Sequence, residues 1–168
     1  MRPTRSETLL DVAEIIARRS TCNRLNVGAV VARDGRILTT GYNGPPSGMD
    51  HCEHEEFEIQ CNLAVHAEAN ALAFAARYGM STDGAEMFLT DSPCHNCAKL
   101  IINAGIVRVY YSKEYRLTHG VDLLEYAGVE THYGPSCTAA TPHGTQDPAA
   151  GAQCGLFPLP HGPGGDRF

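Results

Sequence analysis

Two short segments of this chain carry metal-binding residue types, His66-Ala67-Glu68 and Pro93-Cys94-His95-Asn96-Cys97. Each opens a stretch with helical spacing. Zinc takes nitrogen and sulfur ligands, four of them in a tetrahedron, and His66, Cys94 and Cys97 supply three. Residues three apart share a helix face, so the C-x-x-C brings both sulfurs to one point. The positive end of the helix dipole favours thiolates there. The fourth position is left for water, which marks a catalytic rather than a structural site. Glu68 stands two residues beyond a ligand, beside the metal without binding it, where a proton shuttle is needed. Zn²⁺ with two thiolates is neutral overall and acidifies water less than a three-histidine site would, so a carboxylate base matters more. Taken singly, a C-x-x-C serves equally as a redox pair or as half of a zinc knuckle. The two segments in this order point to metal chemistry.

The chain has seven cysteines, an odd number. In a cytoplasmic chain, clustered cysteine points to metal or catalysis rather than to disulfides. Cys22, Cys52 and Cys61 remain in the same domain. A small buried hydrophobe is a sufficient reading of Cys22 at a helix end. It does not suit Cys52 and Cys61, which lie in a polar, acidic loop beside His51 and His54. A loop without a core has reason to be stapled, and a four-coordinate zinc is the available staple.

Alternating elements must position these groups. Apolar residues at 9, 13 and 16 and at 10 and 17 predict a helix over 6–19. Runs 27–32 and 36–42 flank Asp34-Gly35, a strong hairpin signal. The stretch 66–79 is apolar on almost every side, which predicts a centrally buried helix stopped by Gly79. Strand 86–90, helix 95–104, strand 106–111, helix 120–127 and strand 129–133 follow. Helices between the last three strands require parallel crossovers. The expected fold class is α/β, a three-layer α/β/α domain with a mixed five-stranded sheet over residues 1–133. Residues 134–168 hold six of the ten prolines and show no period, so they read as a flexible Gly/Pro-rich tail. Within that tail, FPLP reads as an unstructured piece or as a contact to a neighbouring subunit.

At 168 residues and 43% hydrophobic content, the chain has room for one ordinary core. It has no apolar run of membrane-spanning length and no signal-peptide pattern, so the cytoplasm is the default. The net charge is −6, which argues against a nucleic-acid partner. A small anionic substrate stays open, because a few local arginines override the mean field at short range.

These stretches resemble the deoxycytidylate (dCMP) deaminase family, including the bacterial competence-operon type. The likeness rests on Arg19-Ser20-Thr21-Cys22, Val27-Gly28-Ala29, Gly41-Tyr42-Asn43-Gly44, His66-Ala67-Glu68-Ala69-Asn70-Ala71, Ser92-Pro93-Cys94 with Cys97-Ala98-Lys99, and Ala104-Gly105-Ile106. H-A-E with P-C-x-x-C alone identifies only the zinc nucleobase deaminases. The G-Y-N-G segment and the long Cys-bearing loop ahead of H-A-E narrow it to this branch. The resemblance implies a cytidine-deaminase-like fold and hydrolysis of dCMP to dUMP and ammonia. It makes His66, Cys94 and Cys97 the ligands of a catalytic zinc. Glu68 becomes the acid/base that protonates N3 and then the departing ammonia. Asn43 matches a position that hydrogen-bonds the sugar, and Tyr115 resembles a substrate-closing tyrosine. Ser92 joins them as a substrate-binding candidate, and Arg24, Lys113 and Arg116 are candidates for the phosphate by proximity. Many relatives hold a second, structural zinc through cysteines matching Cys22 and Cys52. Cys22, Cys52, Cys61 and His54 are therefore its expected ligands, His54 because the i, i+2 spacing from Cys52 avoids the strain of adjacent ligands. Phe57 stands where competence-type relatives often place another cysteine. The family also implies a homo-hexamer activated by dCTP and inhibited by dTTP, with Mg²⁺ entering alongside a nucleotide effector, although some members lack this regulation.

Other functions compete. The zinc motifs alone do not separate dCMP from dCTP, a modified dCMP, cytidine or guanine as substrate. A deaminase acting on RNA or DNA needs a basic channel and stacking aromatics. This chain has no Trp and 7% aromatics. A non-enzymatic interaction protein has no use for Glu68.

Overall fold

The structure is a computed structural model that describes residues 2–52, 61–115 and 119–134. All of them fall in one compact unit, Met1–Thr138. The expected tail beyond Gly134 lies outside the described residues, as do His54, Phe57 and Arg116.

Helix α1 (Arg5–Ala17) starts at a capping box. The Thr4 hydroxyl accepts from the Glu7 N–H at 3.2 Å, and the Glu7 carboxylate accepts from the Thr4 N–H at 2.6 Å. Strands β1 (Gly28–Arg33) and β2 (Arg36–Tyr42) form the expected hairpin. Its two turn residues, Asp34 and Gly35, have φ of +52° and +75°, the left-handed pair of a type I′ turn. Helix α2 (Ala67–Arg77), β3 (Glu86–Asp91), α3 (His95–Asn103), β4 (Arg108–Lys113), α4 (His119–Tyr126) and β5 (Glu130–Tyr133) complete the order. The sheet order is β2-β1-β3-β4-β5. β1 runs antiparallel to β2 and β3, while β3, β4 and β5 run parallel, as the helical crossovers require.

Alternate residues of the strands face two different cores. Ala29, Val31, Met87, Leu89 and Val109 pack under α2, α3 and α4. Val30, Ala32, Phe88 and Tyr110 pack under α1 through Leu9, Leu10 and Ala13. Helices therefore cover both faces, and the architecture is the expected α/β/α sandwich.

Two expectations change. Helix α2 is not buried on all sides. Its buried stripe is Ala67, Ala71 and Ala75 with Glu68, whereas Phe74 and Tyr78 are 39% and 65% exposed. The cause lies in β2. Gly41 lets the helix backbone descend onto the strand, and a Cβ there would overlap the Ala67 carbonyl. So close an approach admits only alanine on the inner face and turns the aromatic side chains outward. Strand β4 also begins two residues later than its apolar run. Ile106 closes the end of α3 by donating its N–H to the Ile101 carbonyl at 3.3 Å, and the ladder starts at Arg108 opposite Glu86. Among the described residues no helix is long and apolar enough to cross a membrane.

Candidate active site

The mixed topology puts four strand ends on one edge of the sheet. Gly28, which starts β1, pairs with Tyr42 at the end of β2. Asp91, which ends β3, pairs with Lys113 at the end of β4. Residues just past those ends therefore gather: Asn43 after β2, Ser92 after β3 and Tyr115 after β4. Ligands of open α/β sheets bind at such carboxyl ends.

Onto this edge come the starts of two helices. His66 is the N-cap of α2 and Cys94 the N-cap of α3, each with extended backbone. His66 Nδ1 stands 3.5 Å from Cys94 Sγ and 3.5 Å from Cys97 Sγ. A tetrahedral zinc with Zn–S of about 2.3 Å and Zn–N of about 2.0 Å separates nitrogen from sulfur by about 3.5 Å. The donors thus stand at the spacing the ion needs. His66 is exposed, Cys94 half-buried and Cys97 buried, so the group opens to solvent on one side only.

The electrostatics also call for a cation. Cys94 is drawn down to about 3 by hydrogen bonds with Cys97 and then His66. Cys97 is pushed far up, by its bond to Cys94 first and by burial second. His66 is raised by its bond to Cys94. A divalent cation lets both thiols ionise. Glu68 is 4% exposed, and burial raises its carboxyl above the usual carboxylate range. It meets the Cys97 sulfur, so a protonatable group lies against the donor set without belonging to it.

Other backbone contacts hold these groups in place. Asn70 Nδ2 donates to the Tyr42 carbonyl at 2.9 Å and ties the first turn of α2 to the end of β2. Val65 and Gly44 exchange both backbone hydrogen bonds, at 2.8 and 3.2 Å, just ahead of His66. Gly120 in the first turn of α4 lies so close to Pro93 that a Cβ would overlap the Pro93 carbonyl oxygen. Sequence reasoning missed Gly120, Asn70 and Val65 as supports. A glycine inside a helical run was the one available signal for Gly120.

The expected substrate contacts divide. Asn43 is 7% exposed, and its amide clamps the preceding loop. Its Oδ1 accepts from the Val27 N–H at 2.8 Å and its Nδ2 donates to the Leu25 carbonyl at 2.7 Å. One amide hydrogen and one lone pair remain for a ligand. Ser92 Oγ accepts from the Tyr115 N–H at 2.8 Å. Lys113 Nζ pairs with Glu14 at 3.5 Å on the exposed surface, as a solvated charge does. Arg24 is half-buried and has a partner of its own.

Cys22, Cys52 and Cys61 form a second group, with sulfurs within 4.8 Å of one another. Cys52 and Cys61 Sγ are 3.7 Å apart. Two thiolates on one tetrahedral zinc stand about 3.8 Å apart, so this spacing fits the ion as well. Cys22 and Cys52 are backbone neighbours in an isolated bridge, and the Cys52 N–H donates to the Thr21 carbonyl at 3.2 Å. Burial, then the neighbouring Cys61, pushes the Cys52 thiol up to about 12. His54 lies outside the described residues, and His51 beside Cys52 is exposed.

A His/Cys/Cys donor group on two helix starts of an α/β/α sandwich, with a buried glutamate against it, defines a zinc-dependent deaminase site. The cytidine and deoxycytidylate deaminase zinc-binding region matches residues 3–113, and the chain belongs to that family. It is 44% identical over 122 residues to ComE operon protein 2 of Bacillus subtilis (strain 168), covering 70% of this chain and 64% of that protein. The match thus spans just under two thirds of that relative's length. It is 40% identical over 128 residues to the deoxycytidylate deaminase of Mycobacterium phage D29, covering 67% of this chain and 98% of the phage protein. A crystal structure of dCMP deaminase from the cyanophage S-TIM5, in complex with dCMP and dUMP, superposes with a TM-score of 0.74 at 42% identity. It covers 79% of this chain and 98% of the phage chain.

Proposed function

We propose that this chain hydrolyses dCMP to dUMP and ammonia. The supporting observation is the His66–Cys94–Cys97 group with Glu68 buried against it, on a fold shared with a phage enzyme crystallised with both dCMP and dUMP. His66, Cys94 and Cys97 would hold Zn²⁺, which supplies Lewis-acid activation of water when bound. Glu68 accepts one proton from the attacking water and passes it to N3 of the ring; it then accepts the proton of the hydroxyl now on C4 and passes it to the amine that leaves as ammonia. Burial raises its carboxyl above the usual carboxylate range, which favours holding the proton between the two transfers. The free amide hydrogen and lone pair of Asn43 bind the sugar. Tyr115 walls the base pocket, and Arg24 meets the phosphate.

The same reading gives the second cysteine group a structural Zn²⁺ held by Cys22, Cys52, Cys61 and His54. It makes residues 1–133 the catalytic domain of a cytoplasmic homo-hexamer answering to dCTP and dTTP, with Mg²⁺ accompanying a nucleotide effector. Residues 134–168 are a tail dispensable for chemistry. The chain acts on free nucleotide rather than on nucleic acid.

A panel of dCMP, dCTP, CMP, deoxycytidine and guanine tests the substrate. The chain carries a net charge of −6, so phosphate binding rests on a few local donors. Charge-assisted hydrogen bonds are worth about 1.5–3 kcal/mol each, and one or two raise kcat/KM for dCMP over deoxycytidine by a factor of about 10 to 10⁴. A triphosphate brings further negative charge into an acidic protein. The expected ranking places dCMP above both deoxycytidine and dCTP. Equal turnover of deoxycytidine would move the assignment to a nucleoside deaminase.

A further inference from the structure

Ser92 is 6% exposed and connects β3 to the metal-binding Pro93–Cys94 turn. Its N–H donates to the Lys113 carbonyl at 2.8 Å. In a parallel ladder the next bond would run from the Tyr115 N–H to the Ser92 carbonyl. Instead, the Tyr115 N–H donates at 2.8 Å to Ser92 Oγ. The hydroxyl takes the ladder position of its own carbonyl. The last backbone pair of the β3–β4 ladder is Asp91 with Lys113, and this side-chain bond extends it by one step. The buried hydroxyl of Ser92, the residue just before the metal-binding turn, therefore holds the backbone of the chain leaving β4 at residue 115.

We propose that Ser92 is a positioning residue. Its hydroxyl does not touch substrate; it fixes the backbone at Tyr115 and so sets where the Tyr115 side chain stands against the base. This rests on the reading of Tyr115 as a wall of the dCMP pocket. Alanine keeps the strand and loses the acceptor, while threonine keeps the acceptor.

A double-mutant cycle tests it. Ser92→Ala should raise KM for dCMP about three- to tenfold, the worth of one neutral hydrogen bond, with kcat within about twofold and metal content unchanged. Ser92→Thr should restore the wild-type KM. In a Tyr115→Ala background Ser92→Ala should have no further effect, because the side chain it positions is gone. An equal rise in KM in both backgrounds would mean that Ser92 contacts substrate directly and would overturn the proposal, as would an unchanged KM in Ser92→Ala. The clamp has a readout that needs no substrate. The chain has no Trp, so Tyr115→Trp introduces a single tryptophan that can be excited apart from the tyrosines. Its anisotropy should fall on adding Ser92→Ala and recover with Ser92→Thr, even if dCMP proves not to be the substrate. Unchanged anisotropy would refute the clamp itself.

Discussion

Gly120→Ala is a direct probe of how the fold holds Cys94. The added Cβ would overlap the Pro93 carbonyl oxygen and sit 2.9 Å from the carbonyl carbons of Pro93 and Cys94. Ordinary carbon contacts lie at about 3.5–4.0 Å, so helix and turn must part by on the order of 1 Å. Helix α4 does not yield freely. Leu124 is fully buried in the core, and Val121 and Leu123 pack against it. Overpacking of this kind costs about 1–3 kcal/mol. A domain of about 100 residues loses roughly 4–8 °C of Tm per kcal/mol. On the other side of the contact, a displacement of about 1 Å at Cys94 costs on the order of 10²-fold in rate. A folded Gly120→Ala protein should therefore melt earlier, surrender its metal faster to a chelator, and lose about 10- to 100-fold in kcat/KM on dCMP. Wild-type kcat/KM and wild-type metal release, measured together with an intact fold by circular dichroism, would show that α4 does not hold Cys94.

Glu68→Gln should keep metal and fold, melt no earlier than wild type because a buried carboxyl becomes a neutral amide, and lose about 10²–10⁴ in kcat; retention of more than about a tenth of wild-type kcat would remove Glu68 from proton transfer. Metal analysis should find two zinc ions per subunit, falling to one in Cys52→Ser; a value near one in wild type, unchanged by that substitution, would leave the second cysteine group metal-free. Truncation after Gly134 should preserve turnover of dCMP, and loss of activity together with loss of the oligomer would show that the tail closes a subunit contact.

The legible parts of the molecule are those whose cause is local. The Asp34-Gly35 hairpin follows from two residues that tolerate positive φ, and the parallel half of the sheet from helices set between strands. His66, Glu68, Cys94 and Cys97 stand out because ligand spacing is decided within one helical turn. Cys52 and Cys61 stand out by their loop context and Cys22 joins them through the family resemblance, and the structure brings the three sulfurs together. What the sequence hides depends on backbones approaching from far along the chain. Gly41 decides which side of α2 is inside, and nothing in the apolar run 66–79 announces that the aromatic residues turn out. Gly120 gains its meaning from Pro93, and the Ser92 hydroxyl from an amide 23 residues later. Glu14 of α1, which pairs with Lys113, is likewise far from it in sequence.

The hairpin turn at Asp34–Gly35 lies at the opposite end of the strands from His66, Cys94, Cys97, Asn43, Ser92 and Tyr115. Ala32, beside that turn, pairs with Glu86 at the start of β3, and Glu86 pairs with Arg108 at the start of β4. The molecule thus has a working end and a closing end separated by the full length of the strands. A peptide tag, a fluorescent reporter or a surface linkage spliced between Asp34 and Gly35 would leave the metal group, the Asn43 clamp and the Ser92–Tyr115 bond where they are. The protein can be immobilised by that end with its metal-binding group facing the solution.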